Sequence, residues 1–209
     1  MNLKKITLYT IIGISFIFIT KTMATFVPGF YNGLRVAKIN SLLLFAASLP
    51  VVGFFVAFKK TAIQDDQETL RLASLIAIST AAGTSLVLFA DVLALFKIQN
   101  MDLNFERFGV ELLYSLSLLY FFIVFNRGNS TKMSSALKQA VFLALVGAAF
   151  SAIIQSYIFM SYVTFGDIRL VGYNSPHFPL LLIPLFIFMF FAKFYFFLTY
   201  YREIGSDSV

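Results

Sequence analysis

The sequence predicts an all-α integral membrane protein: six transmembrane helices in three antiparallel hairpins, with spacing that admits an internal threefold repeat. Three observations carry this. The chain of 209 residues is 59% hydrophobic and only 12% charged, where a soluble domain carries about 25% charge. Its apolar residues gather into six runs near the ~20 residues that a helix needs to cross a ~30 Å hydrocarbon layer. A glycine is followed eight residues later by a polar side chain in three of those runs: Gly13 with Lys21, Gly83 with Asp91, and Gly147 with Gln155. Helices satisfy their backbone hydrogen bonds internally, so they can stand in lipid where open strands cannot.

The first span, about 6–26, follows Lys4-Lys5 and ends before Pro28. Lys4-Lys5, the apolar stretch and Thr22-Met23-Ala24 resemble a secretory signal with a cleavage site. The shared Gly-to-polar spacing favours an uncleaved first span. The second span, about 39–58, closes on Phe54-Phe55-Val-Ala-Phe58-Lys-Lys60. Residues 61–70, with Asp65, Asp66 and Glu68, read as a solvated turn into the third span, about 72–96. There Ala73, Ala77, Ala81 and Ser85 stand at four-residue intervals and form one stripe. The fourth span, about 110–125, opens near Glu111, read as an interfacial carboxylate, and ends Phe121-Phe122-Ile-Val-Phe125-Asn-Arg127.

The fifth span, about 140–165, carries Gly147, Ser151 and Gln155 at the same interval. The sixth, about 178–201, ends Phe196-Phe197-Leu-Thr-Tyr200-Tyr-Arg202. Pro50, Pro179 and Pro184 are candidate kinks, although proline is tolerated in spans. The third and fifth spans are long and must tilt or project. No loop is long enough to hold another domain, so the chain reads as one membrane domain, 1–209.

Small residues let membrane helices approach closely. Gly13, Gly83, Gly147, Ala77, Ala81 and Ser151 are therefore expected packing residues. On this reading the odd-numbered helices form the interior and the Phe-rich even ones more of the rim. Paired Phe residues have an ordinary explanation as lipid surface, since the chain holds 27 Phe.

Lys21, Asp91 and Gln155 are the candidate pathway or locking residues. A charge near the bilayer centre costs at least ~2.5 kcal/mol on insertion scales, so it turns inward and finds a partner. Lys21 and Asp91 sit at depths about one turn apart and could pair. Lys21 could also snorkel to the external headgroups. Lys193 lies about 13 Å inside its end of the sixth helix.

The net charge of +6 sits in short loops, not on a nucleic-acid-binding face. With the N-terminus inside, nine Lys/Arg fall in cytoplasmic segments and five in external ones. That asymmetry places both termini in the cytoplasm, in an inner membrane. There is no cysteine and one histidine, His177. Cysteine chemistry and a bis-histidine haem are excluded. No catalytic motif, P-loop or dinucleotide fingerprint appears, so no enzyme, metal or cofactor is expected. The lipid bilayer is the expected partner, with a homo-oligomer or a membrane complex left open. Three function classes remain: a transporter- or channel-like protein with a polar intramembrane centre, a non-catalytic accessory or scaffold subunit, and a membrane sensor or effector.

Overall fold

The computed structural model describes residues 2–26, 34–64, 67–96, 104–129, 133–165 and 178–206. They form six helices: α1 Leu3–Phe26, α2 Leu34–Gln64, α3 Glu68–Leu95, α4 Asn104–Asn129, α5 Ser135–Phe165 and α6 Phe178–Ser206. All six are long and apolar enough to cross a membrane. His177, Asp65 and Asp66 lie outside the described residues.

The helices outrun the apolar spans, because a charge ends hydropathy without ending a helix. Polar residues fix the starts. Asn2 Oδ1 accepts from the backbone N–H of Lys4 at 2.9 Å, and Ser134 Oγ from that of Leu137 at 3.1 Å. Both are N-cap bonds, which occupy donors that the first turn leaves open. Glu106 in the first turn of α4 and Arg127 in its last complement the helix dipole.

Neighbours in sequence are neighbours in space, and α6 closes against α1. The result is a six-helix ring in which, among the described residues, helix backbones approach closely only between neighbours, and non-neighbours meet through side chains. The Lys4 ammonium lies 5.4 Å from the centre of the Tyr201 ring, and Ser134 donates to Glu203. Both chain ends therefore occupy one end of the ring, the near end.

Each interface has its own device. Thr10 Oγ1 donates to the Pro50 carbonyl at 2.9 Å between α1 and α2. Ser48 donates to Ser85 at 2.8 Å between α2 and α3. Thr80 and Ser117 share a hydrogen bond of 2.7 Å between α3 and α4, and Ser115 and Ser151 one of 3.0 Å between α4 and α5. Gly147 rests against Ala192 and Met189 between α5 and α6. Phe18 and Phe190 stack at 3.8 Å between α6 and α1. Apolar lipid offers helices little hydrophobic reason to associate, so such polar links and close approaches fix the register.

The expected division into interior odd helices and rim even helices does not hold. A ring has no interior helix; every helix has one inward face. Phe54, Phe55, Phe121, Phe122 and Phe196 of the even helices are at most 1% exposed. Lipid-facing side chains come largely from odd helices, such as Leu86, Phe142 and Ile153 at 63–67% exposure. In the small-residue stripe Ala73 and Ala77 are 0% exposed, and Ala81 and Ser85 4%.

Candidate functional site

The buried Phe residues build a floor across the near half of the ring. Phe55 meets Phe121 at 5.1 Å, Phe122 meets Phe196 at 4.9 Å, and Phe197 meets Phe54 at 4.9 Å, all near perpendicular. Within each Phe-Phe pair the rings also meet edge-on, at 5.3, 5.6 and 5.3 Å. The six rings thus close a cycle that passes once through α2, α4 and α6. Edge-to-face contact places the positive ring edge on a negative face, the preferred aromatic arrangement. One turn nearer the termini, Phe58, Phe125 and Tyr200 form a triangle with sides of 5.6, 5.7 and 6.1 Å.

Polar side chains gather on the far side of this floor. Seven residues is close to two helical turns, so residues seven apart share a face. Arg107, Tyr114 and Phe121 follow that spacing along α4, as do Glu111, Leu118 and Phe125. The floor-bearing face of α4 therefore presents Arg107, Glu111 and Tyr114 farther out. Tyr114 packs against the core cluster. On α6, Lys193 precedes Phe196 and Phe197 by three and four residues, and so shares their inward face.

Asp91 of α3 forms a salt bridge with Arg107 of α4. The Asp91 and Arg107 side chains are 29% and 37% exposed, so the pair is partly accessible. Glu111 is near enough to interact electrostatically with Asp91. Among the described residues, Glu111 has no hydrogen bond or salt bridge of its own. Gln155 sits in α5, one turn beyond Ser151. Its Oε1 is buried and has no hydrogen-bond partner.

The sequence-level candidates are thus distributed round the ring. Asp91 and Gln155 flank α4 from opposite sides. Lys21 lies in α1, and its side chain is outside those described. Of the packing candidates, Gly13 lies against the Ala47 backbone and Gly83 against Val110. Ser151 bonds Ser115, and Ala77 and Ala81 are buried. Arg107, the partner of Asp91, precedes the fourth apolar span of about 110–125, yet it stands inside α4, sixteen residues after Asp91 across a hairpin. The intramembrane Ser and Thr pairs also escaped, because single hydroxyls barely alter hydropathy.

An apolar groove of about 430 Å³ runs along α5 and α6, lined by Leu143, Phe188, Phe191, Ala192, Phe194, Tyr195 and Leu198. With Phe191 at 54% exposure, it belongs to the outer surface. No group of three His, Asp or Glu suited to a metal occurs among the described residues. Compared with family models, curated proteins and solved structures, the chain matches none.

Proposed function

We propose that this is a transporter- or channel-like protein whose ring interior is a polar vestibule, open at the far end and closed near the termini by the aromatic floor. One observation carries the reading: charged and polar side chains of α4 and α6 share the inward face that builds the floor. Charges in a membrane bundle ordinarily mark a solute or ion path, since lipid exposure is costly. A tightly packed apolar constriction is a barrier to ions and water. On this reading Asp91 and Arg107 hold the mouth, Tyr114 and Lys193 line the depth, and Glu111 and Gln155 stand between. The cation asymmetry puts the near end in the cytoplasm and the mouth outside an inner membrane.

An internal threefold repeat of helical hairpins belongs to the same proposal. Thr10, Thr80 and Ala144 each precede their glycine by three residues. Pro50, Ser117 and Ala192 each precede their Phe pair by four. The first two couples are hydrogen-bonded, and Ala192 meets Gly147, in the third hairpin. The cyclic Phe contacts obey the same correspondence. Sites at repeat interfaces are common in transport proteins.

The native chain has no cysteine, so accessibility can be tested without a prior background mutation. Single cysteines at Tyr114, Phe55 and Phe191 would be exposed to a charged, impermeant thiol reagent in sealed vesicles of known orientation. Tyr114→Cys should react from the far side only, while Phe55→Cys beneath it and lipid-facing Phe191→Cys should not. A silent Tyr114→Cys would mean a dry centre. That outcome would favour the scaffold reading, which the hydroxyl links at four interfaces support.

A further inference from the structure

We infer that the groove along α5 and α6 holds an acyl chain of an anionic phospholipid from the near leaflet, with Arg202 and Lys138 receiving the headgroup. The groove is apolar, encloses about 430 Å³ and opens on the outer surface of the ring. Its α6 wall runs from Phe188 to Leu198, a rise of about 15 Å at 1.5 Å per residue. That is half of a ~30 Å hydrocarbon core, the share of one leaflet. The wall follows a single stripe, since Phe188, Phe191, Tyr195 and Leu198 stand at alternating intervals of three and four residues. Arg202 is the next member of that stripe, one turn past Leu198 toward the near end.

The second wall supplies another cation. Leu143 closes the groove from α5. Phe142 beside it is 63% exposed, and Lys138 stands one turn before Phe142 on the same lipid-facing side. The bond from Ser134 to Glu203 sets the near ends of α5 and α6 level. Lys138 lies four residues inward of Ser134 and Arg202 one residue inward of Glu203, so the two cations stand within about one turn of height. Both are exposed, and neither has a salt bridge or hydrogen bond among the described residues. Glu203, an acid at the same level, accepts from Ser134.

An apolar groove alone would take any lipid chain, or a helix of another protein. The two cations decide the occupant. A phosphodiester offers a negative charge and acceptor oxygens, which a guanidinium meets with paired N–H donors and an ammonium as a point charge. A zwitterionic headgroup brings its own cation and cancels much of that attraction; an anionic headgroup keeps it. A second copy seated on the same face, near end beside near end as a shared membrane requires, would set its own Arg202 and Lys138 against these two. Like charges at that distance oppose the contact. The site lies on the outer surface, so it does not depend on the vestibule reading.

The chain has no tryptophan, so a single one reports alone. Phe191→Trp puts the reporter in the groove, and Ile76→Trp puts it outside, at a position of α3 that is 39% exposed. Each full-length variant would be reconstituted in phosphatidylcholine vesicles containing phosphatidylglycerol, with brominated acyl chains on one lipid or the other as quencher. Phe191→Trp should be quenched with a preference for phosphatidylglycerol of up to about fivefold for each cation, falling at high salt. The preference should disappear in the Arg202→Gln/Lys138→Gln background, where both changes are at exposed positions, while quenching by phosphatidylcholine persists. Ile76→Trp should show no preference. Equal quenching of Phe191→Trp by the two lipids would overturn the inference, as would the same preference at Ile76→Trp or one that survives loss of both cations. Quenching by neither lipid would overturn it too, and would put a second copy or another protein in the groove.

Discussion

Phe121→Ala should be among the most damaging single truncations in the ring, although the residue is a phenylalanine in a membrane protein. Its ring meets Phe55 at 5.1 Å, Phe58 at 5.2 Å and Phe122 at 5.6 Å, all edge-on. Its exposure is 0%. Each such aromatic contact contributes about 0.5–1.5 kcal/mol beyond area burial. With the stacked contact to Phe125 at 5.9 Å, four lost contacts come to roughly 2–6 kcal/mol, less whatever collapse of the cavity recovers. In water a further term would come from apolar transfer. Here the separated helices already sit in lipid, so packing supplies nearly the whole effect. The comparison is Phe142→Ala, where the side chain is 63% exposed to lipid and the expected change is within about 0.5 kcal/mol. Both would be measured by reversible unfolding in one bicelle system. Equal stabilities would refute the floor and restore a lipid-facing role for the Phe pairs. Should Phe121→Ala fold, it should also raise ion leak through vesicles, which Phe142→Ala should not.

The glycines should rank by what a methyl group would meet. Gly13→Ala should destabilise by about 1–3 kcal/mol in the same unfolding assay, because its Cβ would collide with the Ala47 carbonyl oxygen, a backbone atom. Gly147→Ala, against Ala192 Cβ at 3.0 Å, should cost less, and Gly83→Ala, against a Val110 methyl at 3.3 Å, should be near neutral. Asp91→Leu and Arg107→Met should be non-additive in a double-mutant cycle, by about 0.5–1 kcal/mol and less at high salt, since the pair is partly exposed. Ser115→Ala should cost about 0.6 kcal/mol, the average for an interhelical hydrogen bond in a bilayer; in Ser151→Ala background it should cost nothing more.

The architecture was legible because hydropathy and helix length act over twenty residues at a time. Span count, order and the Ala73–Ser85 stripe follow from that averaging. Helix ends and inward faces do not. Phe121 and Phe142 look alike in composition, yet one lies in the floor and the other in lipid. Their difference arises only when six helices close a ring and each acquires an axis-facing side. Arg107 was missed for the same reason, since hydropathy counts a cation as an end of a span. The structure instead lets the helix continue through it, with Asp91 meeting the charge across the hairpin. Gln155 was legible as an intramembrane amide, but its buried, unpaired oxygen required the structure.

The proposed threefold correspondence separates what the hairpins share from what each does alone. Where they agree, the residues serve packing: the Phe pairs, the glycines and the contacts beneath them. Where they disagree, polar chemistry enters. Ser48 and Ser115 each bond the next helix, while Phe190 at their place stacks on Phe18. Val51 and Leu118 lie three residues before their Phe pairs and are buried at 7% and 3%. At the corresponding place α6 has Lys193, a cation directly beyond the floor. A duplicated apolar scaffold would need no charge there, because valine and leucine already fill that level in the other two hairpins. The departure is therefore the place where the proposed vestibule differs most from a uniformly apolar scaffold. Lys193→Leu would restore the common pattern. It should leave unfolding stability unchanged or improved, while reducing reaction of Tyr114→Cys with an anionic thiol reagent more than with a cationic one. Equal loss with both reagents, or a folding defect like that of Phe121→Ala, would make Lys193 a packing element rather than part of an aqueous path.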